Sequence, residues 1–439
     1  MRNLKDLISL NKHFRSPKRN SNTSKKEFYN YYAGYSDAFV EDVLSYLNLE
    51  KGSVILDPWN GSGTTTFVAG KNGYKAIGYD INPVMPIVAC ARLIPFFSNL
   101  HILFERIINQ AKRYKSNKVL PNDPFKYWLS DSSIIYLRRI ERAIQSVFLA
   151  RRTYLYAKQQ CIYNNLLSCP EMSFFYVTLF RTVTELLRPF KASNPTWIKT
   201  PKKEHDKLEL TEKNIINCFE KNLSMMIQVI NNCGDKVKHY QQVTLGLASS
   251  KNLPLEDSSV DAVITSPPYC TRIDYVINTR LELAVLGFGY DKKFEELRSE
   301  MIGTIKVLDE NIEINKLWGV AALNFLDSVR THKSKASESY YLKQYLQYFQ
   351  GVYQSLSNIN RVLKKNGYSV IVVQDSYYKD VHLDLPRVYT EMASSFGWNL
   401  VHHETFYQRQ TMAAINQRKK KYRRSSSAVE TALIFKKGE

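Results

Sequence analysis

The chain has 439 residues, of which 44% are hydrophobic and 13% aromatic, so it can bury a full core and wholesale disorder is excluded. Its 61 lysines and arginines outnumber its 41 acidic residues, and the net charge of +20 favours a polyanionic partner, nucleic acid before an anionic membrane surface. Because no apolar run approaches the roughly 20 residues of a spanning helix, and the basic N-terminus lacks the apolar core of a secretory signal, we expect a cytoplasmic protein without membrane association.

The first zone of the chain, residues 1–100, has the pattern of a βαβ unit. A helix-like stretch at 37–47 precedes an apolar run at 53–56, a turn rich in glycine and threonine, and a second apolar run at 75–79. Strand, glycine turn, helix and strand in this order predict two neighbouring parallel strands.

The second zone, 101–240, has helical periodicity at 102–114, 134–148, 174–190 and 213–230. A break rich in proline and lysine at 194–207 predicts an exposed loop. The third zone, 241–439, returns to strand–helix alternation, with strands predicted at 260–265, 368–374 and 429–435, a turn at 365–367, and helices at 345–363 and 385–396. We therefore predict an α/β core with a largely parallel sheet and helices on both faces, divided into an N-terminal part and a C-terminal part by a large helical insertion at 101–240.

The first predicted strand is followed by a loop motif, Asp57-Pro58-Trp59-Asn60-Gly61-Ser62-Gly63-Thr64-Thr65-Thr66. Glycines at the end of a first strand let backbone amides approach a ligand closely, with a helix N-terminus behind them. No Gly-Lys-Ser/Thr follows, which excludes a P-loop. The leading acid would repel phosphate but would suit the ammonium group of an amino acid.

The next predicted strand ends at Asp80, which Ile81 and Asn82 follow. A carboxylate at this position reaches ribose hydroxyls in nucleotide-binding folds. A cofactor with a ribose and an ammonium group but no pyrophosphate fits S-adenosylmethionine (AdoMet) better than a dinucleotide. The alternative is a plain turn that binds no ligand.

The third motif, Ser266-Pro267-Pro268-Tyr269, follows the predicted strand at 260–265. With it the sequence resembles the amino-group DNA methyltransferases, which methylate exocyclic nitrogens of cytosine or adenine. The loop at 57–65 is similar to their AdoMet motif, and 266–269 to their catalytic motif. The stretches 31–35 and 416–430 look like their N-terminal flanking motif and closing hairpin.

This resemblance implies a Rossmann-like, AdoMet-dependent methyltransferase sheet. It implies that the catalytic residues are Ser266, Pro267, Pro268 and Tyr269. The implied cofactor-binding residues are Tyr32, Ala33, Asp57, Pro58, Gly61, Ser62, Gly63, Thr64, Thr65, Asp80, Ile81 and Asn82. Many family members have an acid that contacts the adenine ring of the cofactor, in the stretch where this chain has Ser249 and Asn252. Recognition of that ring would therefore rest on backbone or on Asn252.

An exocyclic amine is a poor nucleophile because its lone pair is delocalised into the ring. Two acceptors for its N–H groups, Ser266 Oγ and the Pro267 carbonyl, would pull the nitrogen towards tetrahedral geometry, and the two prolines would hold the loop rigid. Tyr269 would stack on the target base once it has left the duplex.

The six cysteines form no Cys-x-x-Cys pair, and no histidine has zinc-ligand spacing, which predicts reduced thiols and no metal site. Cys270 follows the catalytic tyrosine, unlike the Pro-Cys-Gln pattern of enzymes that methylate cytosine C5, and we predict a packed thiol. Asp274 either orients the base or Arg272, or forms a local salt bridge.

The serine of the catalytic motif predicts a site-specific DNA methyltransferase that modifies the exocyclic N4 of cytosine in a flipped-out base, in a restriction–modification or defence system. The motif order, cofactor loop first, is commoner among adenine-N6 enzymes. An RNA N-methyltransferase and an inactive DNA-binding relative are further alternatives. The expected partners are double-stranded DNA and a cognate restriction endonuclease, while the sequence specifies neither the recognition sequence nor the oligomeric state.

The insertion occupies the position of a target-recognition region. The segment 194–199 combines an amide, an aromatic ring and a cation, groups that suit base edges and phosphates. Basic runs at 15–19 and 418–424 are predicted phosphate clamps. The insertion also carries candidate DNA-contacting cations, with solvated helix faces as the alternative reading: Arg138, Arg139, Arg142, Arg151, Arg152, Arg181, Arg188 and Lys191.

Overall fold

The computed structural model describes residues 13–17, 28–29, 34–94, 99–115, 118–150, 154–192, 198–232, 242–270, 274–289, 291–308, 311–408 and 428–438. The first elements are α1 (Asp37–Leu47), β1 (Val54–Asp57), α2 (Thr64–Lys71), β2 (Lys75–Asp80) and α3 (Val84–Ala91). A helical stretch follows, with α4 (Leu100–Arg113), α5 (Asp131–Leu149), α6 (Gln160–Ser168), α7 (Pro170–Leu186) and α8 (Glu212–Asn232). The remaining elements are β3 (Val243–Leu247), β4 (Val260–Thr265), α9 (Tyr275–Asn278), α10 (Arg280–Leu286), α11 (Lys292–Glu300), α12 (Val320–Arg330), α13 (Leu342–Val362), β5 (Leu363–Gln374), β6 (Ser376–Tyr378), β7 (Val381–Leu383), α14 (Leu385–Ser394), β8 (Trp398–Gln408) and β9 (Ala428–Lys437).

Seven strands form one sheet in the order β3-β2-β1-β4-β5-β9-β8. Strands β1 to β5 are parallel, whereas β9 runs antiparallel to both of its neighbours. The strand order reverses between β1 and β4, and ligands bind at such a switch point, outside the carboxyl ends of the strands. The predicted Rossmann-like sheet is confirmed, and the edge at which β1, β2 and β4 end is the one where folds of this type bind ligands.

Helices cover both faces of the sheet, and β5 shows how the sequence achieves this. Successive side chains of a strand point to opposite faces. Val370 and Val372 join the apolar cluster under α1 and α2, while Ile371 and Val373 join the cluster under α12 to α14. Each buried aliphatic side chain contributes roughly 1.5–3 kcal/mol. A shift by one residue would exchange the two faces, so this alternation fixes the register of the strand.

The predicted helices of the insertion are observed as α4, α5, α7 and α8. Helix α7 ends earlier than predicted, because Arg188–Phe190 forms a separate 3-10 turn. Helix α6 and strand β3 were not predicted. Strand β5 begins earlier than predicted, since the expected turn at 365–367 is an irregularity within it, with Asn366 at a φ of 61°.

A third apolar cluster lies in the helical layer formed by α4 to α8. Helix α7 contributes fully buried rings, Phe174, Phe175 and Phe180. Helices α9 to α11, which follow the Ser266–Tyr269 loop in sequence, join the same cluster through Val276, Leu283 and Phe294. The segment after that loop therefore packs with the insertion rather than with the sheet. Within the described parts of the chain, no helix combines the length and the apolar character needed to span a membrane.

Candidate active site

The loops that follow β1, β2 and β4 surround a cavity at the carboxyl edge of the sheet, whose empty space, including the part open to solvent, is about 880 Å³. The predicted cofactor-binding residues in its wall are Asp57, Pro58, Gly61, Ser62, Thr64, Asp80, Ile81 and Asn82. The predicted catalytic residues in the same wall are Ser266, Pro267, Pro268 and Tyr269. Gly63 and Thr65 are not among the residues that line the cavity, and Tyr32 and Ala33 lie outside the described residues.

Asp57 connects the loop after β1 to the end of β4. Its Oδ1 accepts hydrogen bonds from Thr265 Oγ1 at 2.6 Å and from the Trp59 amide at 3.1 Å, and its Oδ2 accepts one from the Tyr35 hydroxyl at 3.2 Å. Burial raises the pKa of Asp57 to about 6, against the lowering effect of these donors. Thr65 also bonds to the Tyr35 hydroxyl and donates to the Ile264 carbonyl at 3.1 Å. The cofactor loop and the catalytic loop are thus joined directly.

The glycines of the loop permit its tight course at the start of α2. Gly61 and Gly63 have φ angles of 48° and 80°, which L side chains adopt at a cost. A Cβ atom at Gly63 would lie 2.6 Å from the Cβ of Ala89. Asn60 lines the cavity, and its side-chain amide nitrogen is buried without a hydrogen-bond partner among the described residues.

Asp80 holds the same loop from the end of β2. It accepts hydrogen bonds from the Gly61 amide at 3.0 Å and from the Asn82 amide at 2.8 Å. Burial, followed by the neighbouring charge of Asp57, raises the pKa of Asp80 to about 7. Each carboxylate oxygen keeps a lone pair for a ligand hydroxyl. Asn82 donates to Thr279 Oγ1 at 2.8 Å, which ties this edge to the helical layer.

The catalytic-motif loop carries a chain of hydrogen bonds. Ser266 Oγ lies 3.3 Å from the Tyr269 hydroxyl and 3.2 Å from the Val372 carbonyl, and the Tyr269 hydroxyl donates to Glu430 Oε1 at 3.2 Å. Burial, and then the charge of Glu430, raises the pKa of Tyr269, which keeps its hydroxyl protonated. Glu430 was not predicted as a site residue. The sequence feature that could have indicated it is an acidic residue within the apolar run 429–435.

Two hydroxyls from outside the motif clamp the loop backbone. The Tyr348 hydroxyl of α13 donates to the Pro268 carbonyl at 3.1 Å, and Ser376 Oγ of β6 donates to the Cys270 carbonyl at 2.5 Å. Gly303 packs so closely that a Cβ there would lie 3.3 Å from the Tyr269 carbonyl oxygen. Neither hydroxyl was predicted, because nothing local in the sequence marks a tyrosine in a helix as a contact of a distant loop.

Cys270 and Asp274, which come after the Ser266–Tyr269 motif in sequence, both have defined surroundings. Cys270 is buried in the apolar cluster beneath α12 to α14, as predicted for a packed thiol. Asp274 accepts from the Ile277 amide at 3.0 Å, capping α9, and pairs with Arg298 at 2.9 Å. The salt-bridge alternative for Asp274 is therefore the observed one, while Arg272 lies outside the described residues. Across the described ranges, no group of three acidic, cysteine or histidine side chains is arranged to hold a metal ion.

The prediction of a DNA-facing side chain is wrong for Arg138. Its guanidinium is buried between Asp123, at 2.8 Å, and Glu141, at 2.5 Å, and also donates to the carbonyls of Ala284 and Val285.

Several other predicted basic contacts are engaged within the protein. Arg181 is half-buried and donates to the Phe28 carbonyl at 3.0 Å, and Arg15 pairs with Asp42 at 2.8 Å. Arg188 and Lys191 are exposed. Arg139 and Arg142 are half-buried on α5, with their guanidinium groups over the rings of Tyr136 at 5.6 Å and Tyr114 at 4.0 Å. Other predicted contacts lie outside the described residues: Arg151, Arg152, 18–19, 194–197 and 418–424.

A family model described as DNA methylase, of the N6/N4 type, matches residues 5–85 and 260–439, more than half of the chain. Helices α4 to α8 lie in the unmatched stretch between these ranges.

Three Type II methyltransferases are similar to the chain. M.BsoBI of Geobacillus stearothermophilus is 28% identical over 315 residues, 68% of this chain and 60% of that protein. M.MvaI of Kocuria varians is 24% identical over 381 residues, 81% of this chain and 77% of that protein. M.AvaI of Nostoc sp. is 22% identical over 405 residues, 83% of this chain and 78% of that protein. The chain thus spans 60% of the length of the first of these relatives. With the matched ranges containing both the cofactor loop and the catalytic loop, the chain belongs to the N6/N4 DNA methylase family.

Proposed function

We propose that the protein is an AdoMet-dependent DNA methyltransferase that modifies the exocyclic N4 of cytosine in a base rotated out of the duplex. The observation that carries the proposal is the single cavity whose wall contains both the Asp57–Asp80 cofactor elements and the Ser266–Tyr269 loop. The hydrogen bond from Thr265 to Asp57 fixes the two sets of residues relative to each other. A methyl donor and an acceptor base could therefore meet in one enclosure.

The cavity suits AdoMet by the chemistry of its donors and acceptors. Asp80 offers carboxylate oxygens to ribose hydroxyls, and Asp57 offers negative charge to an ammonium group. When bound, AdoMet would supply an electrophilic methyl group. The residues of this chain would bind and orient both partners, which is a large part of the catalytic effect in reactions of this kind.

The Ser266 loop would activate the amine. Ser266 Oγ and the Pro267 carbonyl would accept its two N–H groups, and the rigid proline loop would hold these acceptors before the base arrives. Tyr348 and Ser376 support that rigidity, because they bind the carbonyls of Pro268 and Cys270. Tyr269 would stack against the extruded base.

Two features of the sequence bear on the target base. The neutral serine at the head of the motif resembles cytosine-N4 members, and this favours cytosine. The motif order, with the cofactor loop first, favours adenine N6 as the second candidate. The charge of +20 suits double-stranded DNA as substrate. The relatives are Type II methyltransferases by name, and we propose a restriction–modification role with a cognate endonuclease as partner.

Transfer of labelled methyl from AdoMet to mixed-sequence duplex DNA, followed by nucleoside mass spectrometry, tests the proposal. N4-methylcytosine is the expected product. N6-methyladenine would replace the assigned base while keeping the chemistry. Label on RNA but not DNA, or tight AdoMet binding with no product on either, would overturn the DNA assignment.

Affinity for AdoMet is expected to fall as the pH is lowered through 7, because burial raises the pKa of Asp80 to about 7 and the ionised carboxylate is the better acceptor. Since a bound cation lowers that pKa, binding near pH 7 should release protons. Calorimetric titration at about pH 7.5 and about pH 6, in buffers of different ionisation enthalpy, measures both effects.

Asp80→Ala provides the matched test of that carboxylate. It is expected to weaken AdoMet binding by about 10- to 100-fold, because hydrogen bonds to a charged acceptor are lost, and to reduce the pH dependence near 7. Unchanged affinity would remove Asp80 from the cofactor site.

A further inference from the structure

A buried acid stands at the end of the hydrogen-bond chain that begins at Ser266. Glu430 lies on β9, where Gln374 of β5 and Phe406 of β8 flank it in the sheet. It is 9% exposed, and its Oε1 is 3.2 Å from the Tyr269 hydroxyl, which in turn is 3.3 Å from Ser266 Oγ. The acid therefore reaches the motif serine through one tyrosine.

The direction of these hydrogen bonds follows from the groups involved. An ionised carboxylate can only accept, so the Tyr269 hydroxyl donates to Glu430 and its oxygen is left to accept. Ser266 can then donate either to the Tyr269 oxygen or to the Val372 carbonyl, which also only accepts. In both arrangements the serine hydrogen is bonded within the protein, and the arrangement in which it bonds to Tyr269 connects Ser266 to Glu430. The lone pairs of Ser266 Oγ are left for the N–H of a substrate amine.

We propose that Glu430 is a positioning residue for methyl transfer and the final acceptor of the proton that the amine loses; this inference rests on the proposed function. After methylation the exocyclic nitrogen carries one proton too many. That proton passes to Ser266 Oγ while the serine proton passes to Tyr269 and the tyrosine proton to the Glu430 carboxylate. One proton leaves the base, one arrives on Glu430, and no group is oxidised or reduced.

This transfer of a proton from the amine through Ser266 and Tyr269 to Glu430, the proton relay, predicts the rates of two single variants and of their combination. Glu430→Gln is expected to lower the single-turnover rate by roughly 10- to 100-fold, because an acceptor-only group is replaced by an amide that can also donate. Tyr269→Phe removes the connecting hydroxyl but keeps the ring, and is expected to cost a similar factor. Because both changes break one chain, the double variant should be no slower than about the slower single variant.

AdoMet affinity, DNA affinity and melting temperature are measured for each variant, since a relay predicts losses in rate and not in binding. Glu404→Gln is the matched control, an acid on the neighbouring strand β8 whose contacts are with His13 and the Phe14 amide. It is expected to leave the rate within about twofold of the wild type.

Two outcomes would overturn the inference. One is a Glu430→Gln rate within about twofold of wild type. The other is that Glu430→Gln lowers the rate by the same factor in the Tyr269→Phe variant as in the wild type, which indicates an independent structural role. Should Glu430→Gln fail to fold, Tyr269→Phe decides alone, because stacking without a relay predicts a near wild-type rate. A wild-type protein that forms no product on DNA would instead refute the proposed function.

Discussion

Ser266→Ala is expected to lower the single-turnover rate of methyl transfer by about 100-fold or more, the loss seen when one preorganised hydrogen-bonding group is removed from a transition state. The alanine keeps the backbone and the two prolines but removes the acceptor that would bind the amine. AdoMet affinity should stay within about twofold, since the serine contributes to the reaction and not to cofactor binding. Rapid-quench measurement with labelled AdoMet gives the rate, and calorimetry gives the affinity.

Ser328→Ala is the matched control for this variant. Ser328 lies on the exposed side of α12, where its hydroxyl donates to the Asn324 carbonyl. Its replacement should change neither the rate nor the affinity. A Ser266→Ala rate within about tenfold of wild type would argue against serine as an amine acceptor and would leave the Pro267 carbonyl as the main activating group.

Arg138→Ala is expected to lower the free energy of unfolding by about 3–5 kcal/mol, the usual cost of removing one partner from a buried ionic network. Asp123 and Glu141 would lose their shared cation, and the carbonyls of Ala284 and Val285 would each lose a donor. Chemical denaturation followed by circular dichroism measures the change. The loss should appear in the helical layer, where all of these groups lie.

Arg113→Ala serves as the control for Arg138→Ala, because Arg113 is an exposed cation in the last turn of α4. It should change the unfolding free energy by no more than about 0.5 kcal/mol. Equal and small effects of the two variants would show that the buried network contributes little. Asp123→Asn and Glu141→Gln combined with Arg138→Met should recover part of the loss, because the uncompensated charges are then removed.

The meeting of the loops at 57–66 and 266–269 could be predicted because their signals are local. Asp57, Asp80 and Ser266 each follow a short apolar run, and parallel strands bring their carboxyl ends to one edge of the sheet. The glycine at position 63 is likewise explained by a nearby contact, with Ala89. Knowing the order of strands and turns was therefore enough to bring these residues together.

The remaining features depend on contacts between distant parts of the chain. Glu430 lies 161 residues from Tyr269, and only the pairing of β9 with β5 brings them together. Arg138 has the position of a surface cation on an amphipathic helix, and its burial results from carbonyls of α10 that are about as distant in sequence. Helical periodicity cannot reveal a neighbour contributed by another element.

The insertion and helices α9 to α11 share one apolar core, and this core limits which segments can be exchanged in a chimeric protein. A graft that exchanged 101–240 alone would leave Val276, Leu283 and Phe294 against a foreign interior. A compatible donor segment has to include 274–300 as well, which brings the junction close to Tyr269. The packing of the insertion and the support of the Ser266–Tyr269 loop would then be inherited as one unit.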